Sequence, residues 1–267
     1  MFGLAVGGLD PSGGAGLIVD VLTFSAFGLH PQAVMTASTI QSLGALDSYV
    51  AADAGHMYAQ MHLIFETNAP AVLKIGMIGD DKIAGTLADV IGEFGAGIPV
   101  VLDPVLESSS GRPLITEAGL RIMIERLLPF ATVVTPNRME AERLSGVSIT
   151  GVGDVRTAAE KILDMGADNV IVKGGHLQGE PTDYLFDGSR MHALPGKRVP
   201  DANVRGTGCM HASALAACLA LGLDVLGAAR EAKIFVTAAI KGAGVLKETK
   251  VKIGAIPAPG VWEIRKN

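Results

Sequence analysis

The sequence predicts an α/β fold in which helices cover both faces of a doubly wound, mostly parallel central sheet. Short, β-branched apolar runs that end at Gly, Pro or Asp recur along the chain, which is typical of buried parallel strands. Between them lie patterns of helical length, several of which end at a glycine, as helix C-termini prefer. With 267 residues the chain can bury a sizeable core, so we expect residues 1–267 to form a single domain.

The predicted elements alternate as βαβ units require. Buried strands are predicted at Leu4–Gly7, Ala33–Thr36, Val72–Ile75, Val100–Leu102, Thr132–Val134 and Val170–Val172. Helices are predicted near residues 15–27, 55–66, 81–94, 116–128, 138–145, 154–165, 207–221 and 224–246. An Asp-Gly pair separates the run at Tyr184–Phe186 from the run at Met191–Leu194, which predicts an antiparallel hairpin at the edge of the sheet.

The composition argues against nucleic acid, a membrane and structural zinc. The formal net charge is −5 and aromatic residues make up 4% of the chain, so we find neither a basic stripe nor a stacking platform for nucleic acid. No apolar run approaches the roughly 20 residues of a membrane span, and no secretory signal is visible, so we expect a cytoplasmic protein. Cys209 and Cys218 face different directions on one predicted helix and cannot pair, and no zinc-type spacing occurs.

A glycine pair leads directly into a helical, Ala/Leu-rich segment near the C-terminal end. Gly206 and Gly208 flank Thr207 and precede Cys209. Glycine can adopt positive φ, so consecutive backbone N–H groups can turn toward one ligand, and the helix dipole adds roughly half a positive charge there. The pattern predicts an anion-binding helix start that suits a phosphoryl group; a plain loop-to-helix junction is the alternative.

Four further polar clusters follow predicted strands, each at the point where a strand ends. In an open α/β sheet, ligands bind where the carboxyl ends of the strands meet the following loops, so we expect all five clusters to converge on one crevice. The four clusters are Asp10–Gly16, Asp103-Pro104, Thr135–Asn137 and Lys173–His176.

Seven segments follow one another in the order and spacing of a known family. They are Gly8–Gly16, Gln41, Lys74–Met77, Asp103–Val105, Thr135–Ala141, Lys173–His176 and Gly206–Cys209. Together they resemble the pattern of hydroxymethylpyrimidine/phosphomethylpyrimidine kinases, and the resemblance extends to about Ala239. It implies a ribokinase-like doubly wound fold, ATP with Mg²⁺, and 4-amino-5-hydroxymethyl-2-methylpyrimidine or its monophosphate as the phosphoryl acceptor.

The resemblance makes Cys209 the catalytic residue, seated in the anion hole that Gly206 and Gly208 form. A helix dipole and any nearby cation lower the pKa of a thiol, so we expect Cys209 to accept the proton of the substrate hydroxyl. The alternative is a small hydrophobe that fills a helix start. Cys218 has no motif around it and is expected in the core.

Other matched residues are implied to hold the phosphates. Lys173, as a point charge near the nucleotide phosphates, would offset the negative charge that develops in the reaction. Asp103 and Thr207 are expected beside it. An exposed edge lysine is the alternative for Lys173, and a cap of the strand-end turn is the alternative for Asp103.

Asn137 and Glu140 are implied to hold Mg²⁺ through water. They stand three residues apart at the start of a predicted helix, so their side chains share a face, and a hard cation such as Mg²⁺ keeps most of its hydration shell. The alternative is an N-cap asparagine with a capping-box glutamate. Both interpretations can hold at once.

The acceptor site is implied to contain Gly8, Asp20, Gln41 and Met77. Gln41 can pair with an aminopyrimidine edge through one donor and one acceptor; a solvated loop glutamine is the alternative. Gly8 lets a ring approach the backbone and Met77 offers an apolar wall, although a core methionine fits the same pattern. Asp20 matches an aspartate near the pyrimidine, with a surface charge as the alternative.

The chain departs from the family pattern in several places. Ser109 stands where a flap lysine is usual, and Glu107 adds a negative charge, so we expect a phosphorylated acceptor to be disfavoured. Met210 and His211 replace a small hydroxyl residue and an apolar one, and we expect His211 on a helix face away from Cys209. These departures leave open the number of phosphates that are added.

Two rival functions remain at this point. Pyridoxal also presents a hydroxymethyl group on a ring, so a pyridoxal kinase of the same subfamily is one rival. A pyrimidine- or nucleotide-binding regulator that has lost turnover is the other, favoured by the flap change and opposed by the presence of Asn137, Glu140, Lys173 and Cys209. We expect a homodimer in either case.

Overall fold

The centre of the computed structural model is a nine-stranded sheet. The structure describes residues 1–108, 110–176, 179–200, 204–245 and 251–264. The strands are β1 Phe2–Leu9, β2 His30–Gln41, β3 Leu46–Ala51, β4 Leu73–Ile75, β5 Val100–Leu102, β6 Val133–Val134, β7 Val170–Val172, β8 Asp183–Phe186 and β9 Met191–Leu194. Their spatial order is β3-β2-β1-β4-β5-β6-β7-β8-β9. The six strands from β2 to β7 in this order are parallel, whereas β3 at one edge and β8 and β9 at the other are antiparallel.

Helices cover both faces of this sheet. In the described part of the chain they are α1 Gly16–Ala26, α2 Ala54–Asn68, α3 Asp81–Phe94, α4 Glu117–Ile122, α5 Arg138–Ser145, α6 Val152–Leu163, α7 Thr207–Ala220 and α8 Val225–Lys241. Helices α1, α7 and α8 pack on one face, and α2 to α6 on the other. The side chains of β1 alternate between the two cores, with Leu4 and Val6 in one and Ala5 in the other, as the period of a strand requires. None of these helices is long and apolar enough to cross a membrane.

The predicted fold class and all six predicted strands are confirmed. The expected hairpin is also present, because β8 and β9 pair antiparallel at the sheet edge. The strand predicted at Ala33–Thr36 was too short, since β2 spans 12 residues. Much of β2 exposes alternate side chains, so polar residues interrupt the apolar run from which the strand was predicted. Strand β3 and a separate three-stranded sheet of β10 Val204–Arg205, β11 Gly244–Val245 and β12 Lys252–Ile253 were not predicted.

The helix predicted near 116–128 is not one regular helix. It begins as α4, continues from Met123 to Leu127 as a π-helix and ends in a 3₁₀ turn at Leu128–Phe130. Pro129 lies in that last turn, and a proline there removes a backbone donor that a longer α-helix would need. The helix predicted at 224–246 ends earlier, at Lys241, before Gly242.

The strand order places a crevice between β1 and β4. The chain leaves β1 toward β2 on one side and later enters β4 on the other side, so the order of the strands reverses at this point. Loops at such a switch point diverge and leave room for a ligand at the carboxyl ends of the strands. Gly8 near the end of β1 and Met77 just after β4 both lie at this crevice.

Candidate active site

The N-terminus of α7 lies against the loop that follows β1. Gly206 precedes the helix with φ of +75°, which is readily adopted only by glycine. A Cβ on Gly206 would lie 2.5 Å from the carbonyl oxygen of Gly14, so a larger residue would push the two segments apart. The expectation of positive φ is wrong for Gly208, because α7 begins at Thr207 and Gly208 already has helical geometry. The helix start therefore presents its first N–H groups, including that of Thr207, beside the loop after β1.

Cys209 lies in the first turn of α7 and interacts with the start of a second helix. The backbone N–H of Gly16, the first residue of α1, hydrogen-bonds the Cys209 sulfur and favours its thiolate. Burial nevertheless raises the pKa of the Cys209 thiol to about 11, against the lowering effect of Lys74. The expected lowering of this pKa is therefore wrong, because loss of hydration outweighs the two helix termini and the nearby cation. Cys218 is fully buried in the core, as expected.

An ion pair between Lys173 and Asp103 lies beside the first turn of α7. The lysine Nζ lies 2.7 Å from the aspartate Oδ1, which also accepts a hydrogen bond from Thr135 at 3.0 Å. A Cβ on Gly208 would lie 3.5 Å from the lysine Nζ, so the pair is close to the first turn of the helix. Lys173 is only 16% exposed, and the alternative of an exposed edge lysine is wrong. Burial alone would raise the pKa of Asp103, but Lys173 and Lys74 hold it below its usual value.

Asn137 and Glu140 form the capping box of α5. The Asn137 side chain accepts from the Glu140 N–H at 3.0 Å, and the Glu140 carboxylate accepts from the Asn137 N–H at 2.7 Å. Glu140 also accepts a backbone hydrogen bond from Leu106, yet burial raises its pKa to about 7. The alternative from the sequence is therefore correct, and it leaves the magnesium role open.

The residues present fit a hydrated Mg²⁺ better than a directly ligated one. Among the described residues there is no group of three or more His, Cys, Asp or Glu side chains arranged to hold a metal ion. The Glu140 carboxylate is already hydrogen-bonded to backbone N–H groups, so it offers a charge and few free lone pairs. Mg²⁺ commonly keeps several waters and takes phosphate oxygens as ligands, which requires only a nearby carboxylate such as this one.

The predicted acceptor residues Gly8 and Met77 are in contact at the crevice. A Cβ on Gly8 would lie 2.6 Å from the Met77 sulfur, and Met77 itself is largely buried. Gln41 ends β2 and donates from its side-chain amide to Asp10 at 3.2 Å, so it is not a solvated loop residue. Arg205 lies 3.6 Å from the same carboxylate oxygen of Asp10 and donates to the carbonyl oxygen of Leu43. These contacts close the crevice from the side of β2.

Asp20 lies beneath the site and not on the surface. Its carboxylate is 0% exposed and contacts the Lys74 ammonium at 2.8 and 2.9 Å. Ser213 of α7 donates a hydrogen bond to it at 2.7 Å. The alternative of a surface charge is therefore wrong, and a direct contact with a substrate stays a prediction that this geometry does not favour.

His211 lies two residues after Cys209 in α7 and therefore on a different face of the helix, as expected, and this face is buried. His211 is 4% exposed, and neither ring nitrogen has a hydrogen-bond partner among the described residues. Its Nε2 lies 3.7 Å from Asp183, which is paired with Lys233 at 2.8 Å. Burial lowers the pKa of His211 to about 4, so the imidazole is neutral at physiological pH.

Sequence reasoning assigned no role to Lys74, Asp10 or Arg205. Lys74 lies within an apolar run that predicts a buried strand. This position was the available signal, since a lysine is almost never fully buried unless it is paired. Asp10 follows β1 and Arg205 lies in β10, far apart in the sequence, and no spacing rule relates them. Ser109, which stands at the flap position, lies outside the described residues, and Glu107 is exposed.

Comparisons with known proteins identify relatives of this chain. A family model described as phosphomethylpyrimidine kinase matches residues 10–257. A hydroxymethylpyrimidine/phosphomethylpyrimidine kinase from Rhizobium meliloti (strain 1021) is 39% identical over 246 residues, which cover 91% of this chain and 92% of the relative.

Two solved structures share the fold. A phosphomethylpyrimidine kinase from Clostridium difficile 630 has a TM-score of 0.80 and 32% identity, over 90% of this chain and 99% of the other. A pyridoxal kinase from Staphylococcus aureus, in complex with AMP-PCP and pyridoxal, has a TM-score of 0.86 and 30% identity, over 97% and 93% of the two chains. The likeness thus extends over nearly the full length of these proteins.

Proposed function

We propose that this chain, which belongs to the phosphomethylpyrimidine kinase family, phosphorylates the hydroxymethyl group of 4-amino-5-hydroxymethyl-2-methylpyrimidine in thiamine biosynthesis, with ATP as the donor. The observation that carries this proposal is the helix start at Gly206–Cys209, which lies beside the Lys173–Asp103 pair at the carboxyl ends of β7 and β5. Backbone N–H groups and a lysine are thereby available for a phosphoryl group in transfer.

The reaction moves one proton and one phosphoryl group. The acceptor hydroxyl oxygen bonds to the γ-phosphorus of ATP as the bond to the β–γ bridging oxygen breaks, and ADP leaves. The hydroxyl proton passes to the Cys209 sulfur, which requires the thiolate form. Since phosphoryl transfer passes through a loose transition state, catalysis depends mainly on positioning and on positive charge around the transferred group. Lys173, Thr207 and the N–H groups that follow Gly206 supply that charge.

We assign the remaining predicted residues to holding and orienting the two substrates. Glu140, with Asn137, takes Mg²⁺ through water, and the metal neutralises phosphate charge when it is bound. Asp103 keeps the Lys173 ammonium directed at the helix start. Gln41, Gly8 and Met77 surround the pyrimidine ring at the crevice. The proposal also includes a single domain over residues 1–267, a cytoplasmic location and a homodimer.

Pyridoxal is the second candidate acceptor. The likeness to the Staphylococcus aureus pyridoxal kinase in complex with pyridoxal favours it, because that ring also carries a hydroxymethyl group. The two candidates differ in ring chemistry: Gln41 offers one donor and one acceptor, which an aminopyrimidine edge can match.

A coupled ADP-release assay tests the proposal. The acceptors are hydroxymethylpyrimidine, its monophosphate and pyridoxal, each with and without Mg²⁺, and the first is expected to give the highest kcat/KM. Cys209→Ala is expected to lower turnover about 10²–10⁴-fold, while Cys218→Ala, on the same helix but within the core, serves as the matched control. Pyridoxal as the best acceptor would replace the proposed substrate, and unchanged turnover in Cys209→Ala would remove the thiol from the mechanism.

A further inference from the structure

A buried ion pair lies directly under the reactive cysteine and has no role in the chemistry described above. Lys74 on β4 is 1% exposed and contacts both carboxylate oxygens of Asp20 on α1. Ser213 on α7 donates to the same carboxylate at 2.7 Å. One charged pair therefore ties together the strand and the two helices whose N-termini meet at Cys209.

The two helices contact each other through a repeated pattern. On α1, Gly16 and Asp20 are four residues apart, and on α7, Cys209 and Ser213 are four residues apart. Residues four apart lie on one face of a helix, one above the other. Gly16 contacts the Cys209 sulfur and Asp20 contacts Ser213, so the ion pair lies one helical turn below the thiol.

Stability alone does not account for a pair at this depth. Two charges lose their hydration on burial, and apolar residues of similar volume often stabilise a protein as well or better. The backbone also accommodates the ammonium, because a Cβ on Gly76 would lie 2.8 Å from the Lys74 Nζ. A fixed charge beside a buried thiol, in contrast, has a direct effect on its ionisation.

The part of the chain that the structure describes contains four charged side chains that act on the Cys209 sulfur. Lys74 from β4 and Lys173 from the end of β7 are the cations, while Asp20 from α1 and Asp103 from the end of β5 are the anions. Lys173 and Asp103 belong to the phosphate side of the site. Lys74 and Asp20 are enclosed by protein, so their balance is set by the fold alone.

We propose that Lys74 and Asp20 are positioning residues that set the ionisation of Cys209, with Lys74 stabilising the thiolate and Asp20 limiting that effect. The inference rests on the proposed function in one respect, namely that the Cys209 thiolate accepts the substrate proton. The effect of the pair on the thiol itself does not depend on any substrate. The ion pair one helical turn below the thiol therefore sets the proton affinity of the sulfur that an approaching hydroxyl group meets.

The test compares two substitutions that break the same ion pair from opposite sides. The pH dependence of Cys209 alkylation by iodoacetamide is measured in the full-length protein, with Cys209→Ala providing the background from Cys218. Asp20→Asn is expected to lower the midpoint of alkylation by at least about one pKa unit, a tenfold gain in thiolate fraction at pH 8. Lys74→Met is expected to shift the midpoint in the opposite direction.

A purely structural role predicts a different result. Loosening of the cluster would raise the alkylation rate at every pH in both variants and would leave the midpoint in place. Ser213→Ala is the matched control, because it removes a hydrogen bond from Asp20 without removing a charge, and it should shift the midpoint less than Asp20→Asn. Midpoints that do not move, or that move in the same direction, overturn the proposal.

The experiment still tests the proposal if one variant fails to fold or if the proposed function is wrong. Should Lys74→Met not fold, Asp20→Asn decides alone, since only a lower midpoint supports the proposal. Alkylation needs no acceptor or nucleotide, so an inactive wild-type protein would refute the proposed kinase function and leave the charge effect measurable. In an active protein, the pH profile of kcat should shift in the same direction as the alkylation midpoint.

Discussion

Two buried lysine–aspartate pairs flank Cys209, and they differ in their access to water. Lys173 and Asp103 lie at the ends of two parallel strands, and the lysine keeps 16% of its side-chain surface exposed. Lys74 and Asp20 lie between a strand and a helix, and neither is more than 1% exposed. The aspartates respond in opposite ways: the pKa of Asp103 is lowered, while burial raises the pKa of Asp20 against its lysine and Ser213.

The difference shows that a contact distance alone does not define what an ion pair does. Both lysines lie within 2.9 Å of their aspartates. Asp103 is also stabilised by a second cation, Lys74, and by the Thr135 hydroxyl, so its negative charge is favourable. We therefore expect the outer pair, Lys173–Asp103, to exchange partners with phosphate oxygens that arrive from solvent. The inner pair, Lys74–Asp20, is expected to keep its own partners.

The largest expected effect comes from breaking the inner pair. Lys74→Met leaves the Asp20 carboxylate buried without a cation, which costs about 3–5 kcal/mol of unfolding free energy. Urea unfolding followed by circular dichroism measures this loss. The double variant Lys74→Met with Asp20→Leu removes both charges and should recover most of it. A single variant as stable as the wild type would mean that water reaches Asp20.

The same substitution in the outer pair should lower activity much more than stability. Lys173→Met removes a charge that the proposed function assigns to the transferred phosphoryl group, so a loss of about 10²–10³ in kcat is expected. Asp103 retains Thr135 and Lys74 as partners, so the unfolding free energy should fall by less than in Lys74→Met. Parallel kinetic and urea experiments on the two methionine variants provide the comparison. Equal stability losses in both would remove the distinction between the pairs.

The outer pair could be predicted from the sequence, and the inner pair could not. Asp103 and Lys173 each follow a short apolar strand, and parallel strands deliver such residues to one edge. Strand ends, glycine turns and the hairpin at β8 and β9 were predictable for the same reason, because each has a local sequence pattern. Asp20 and Lys74 are 54 residues apart, and no local sequence pattern relates a residue within α1 to a residue within β4.

The misassigned features share a physical cause. The pKa of Cys209 was expected to fall because helix termini are visible in a sequence, whereas the burial that raises it depends on packing from distant elements. The burial of His211 was not predicted for a similar reason. Its position relative to Cys209 follows from helical geometry, but α7 is enclosed on several sides and most of its residues are buried. Local sequence rules thus predict on which face of a helix a residue lies, but not whether other elements of the fold bury that face.

Glu140 is a neighbour of the outer pair, and the proposed function assigns it the binding of Mg²⁺. Glu140→Gln keeps the volume of the side chain and its capping bond but deletes the charge, so half-maximal activity should require about 10–100-fold more Mg²⁺. Because burial raises the pKa of Glu140 to about 7, the wild-type requirement for Mg²⁺ should also rise as the pH falls below 7.

Titration of the rate with Mg²⁺ at pH 6 and pH 8 measures both effects, and Glu142→Gln on the same helix is the control. The glutamine variant should have lost the pH dependence of its Mg²⁺ requirement. If acceptor binding weakened and the Mg²⁺ requirement did not change, Glu140 would act as a helix cap only.

A third buried pair, Lys233–Asp183, gives the smallest expected effect and tests whether burial alone controls a neighbouring group. His211 faces this pair and also Lys173 and Asp103. Its pKa is about 4 in the folded protein and about 6.5 in the unfolded chain, so protonation favours unfolding. The stability that its neutral form provides is complete above pH 6.5 and is lost as the pH falls from 6.5 toward 4, by about 1 kcal/mol between pH 7.5 and pH 5.5.

His211→Leu should remove this part of the pH dependence and leave the contributions of all other groups in place, so the difference between the two urea-unfolding curves isolates the imidazole. Identical pH dependence in the two proteins would mean that His211 gains a proton in the folded state as easily as in the unfolded chain, and that the adjacent Asp183 compensates for its burial.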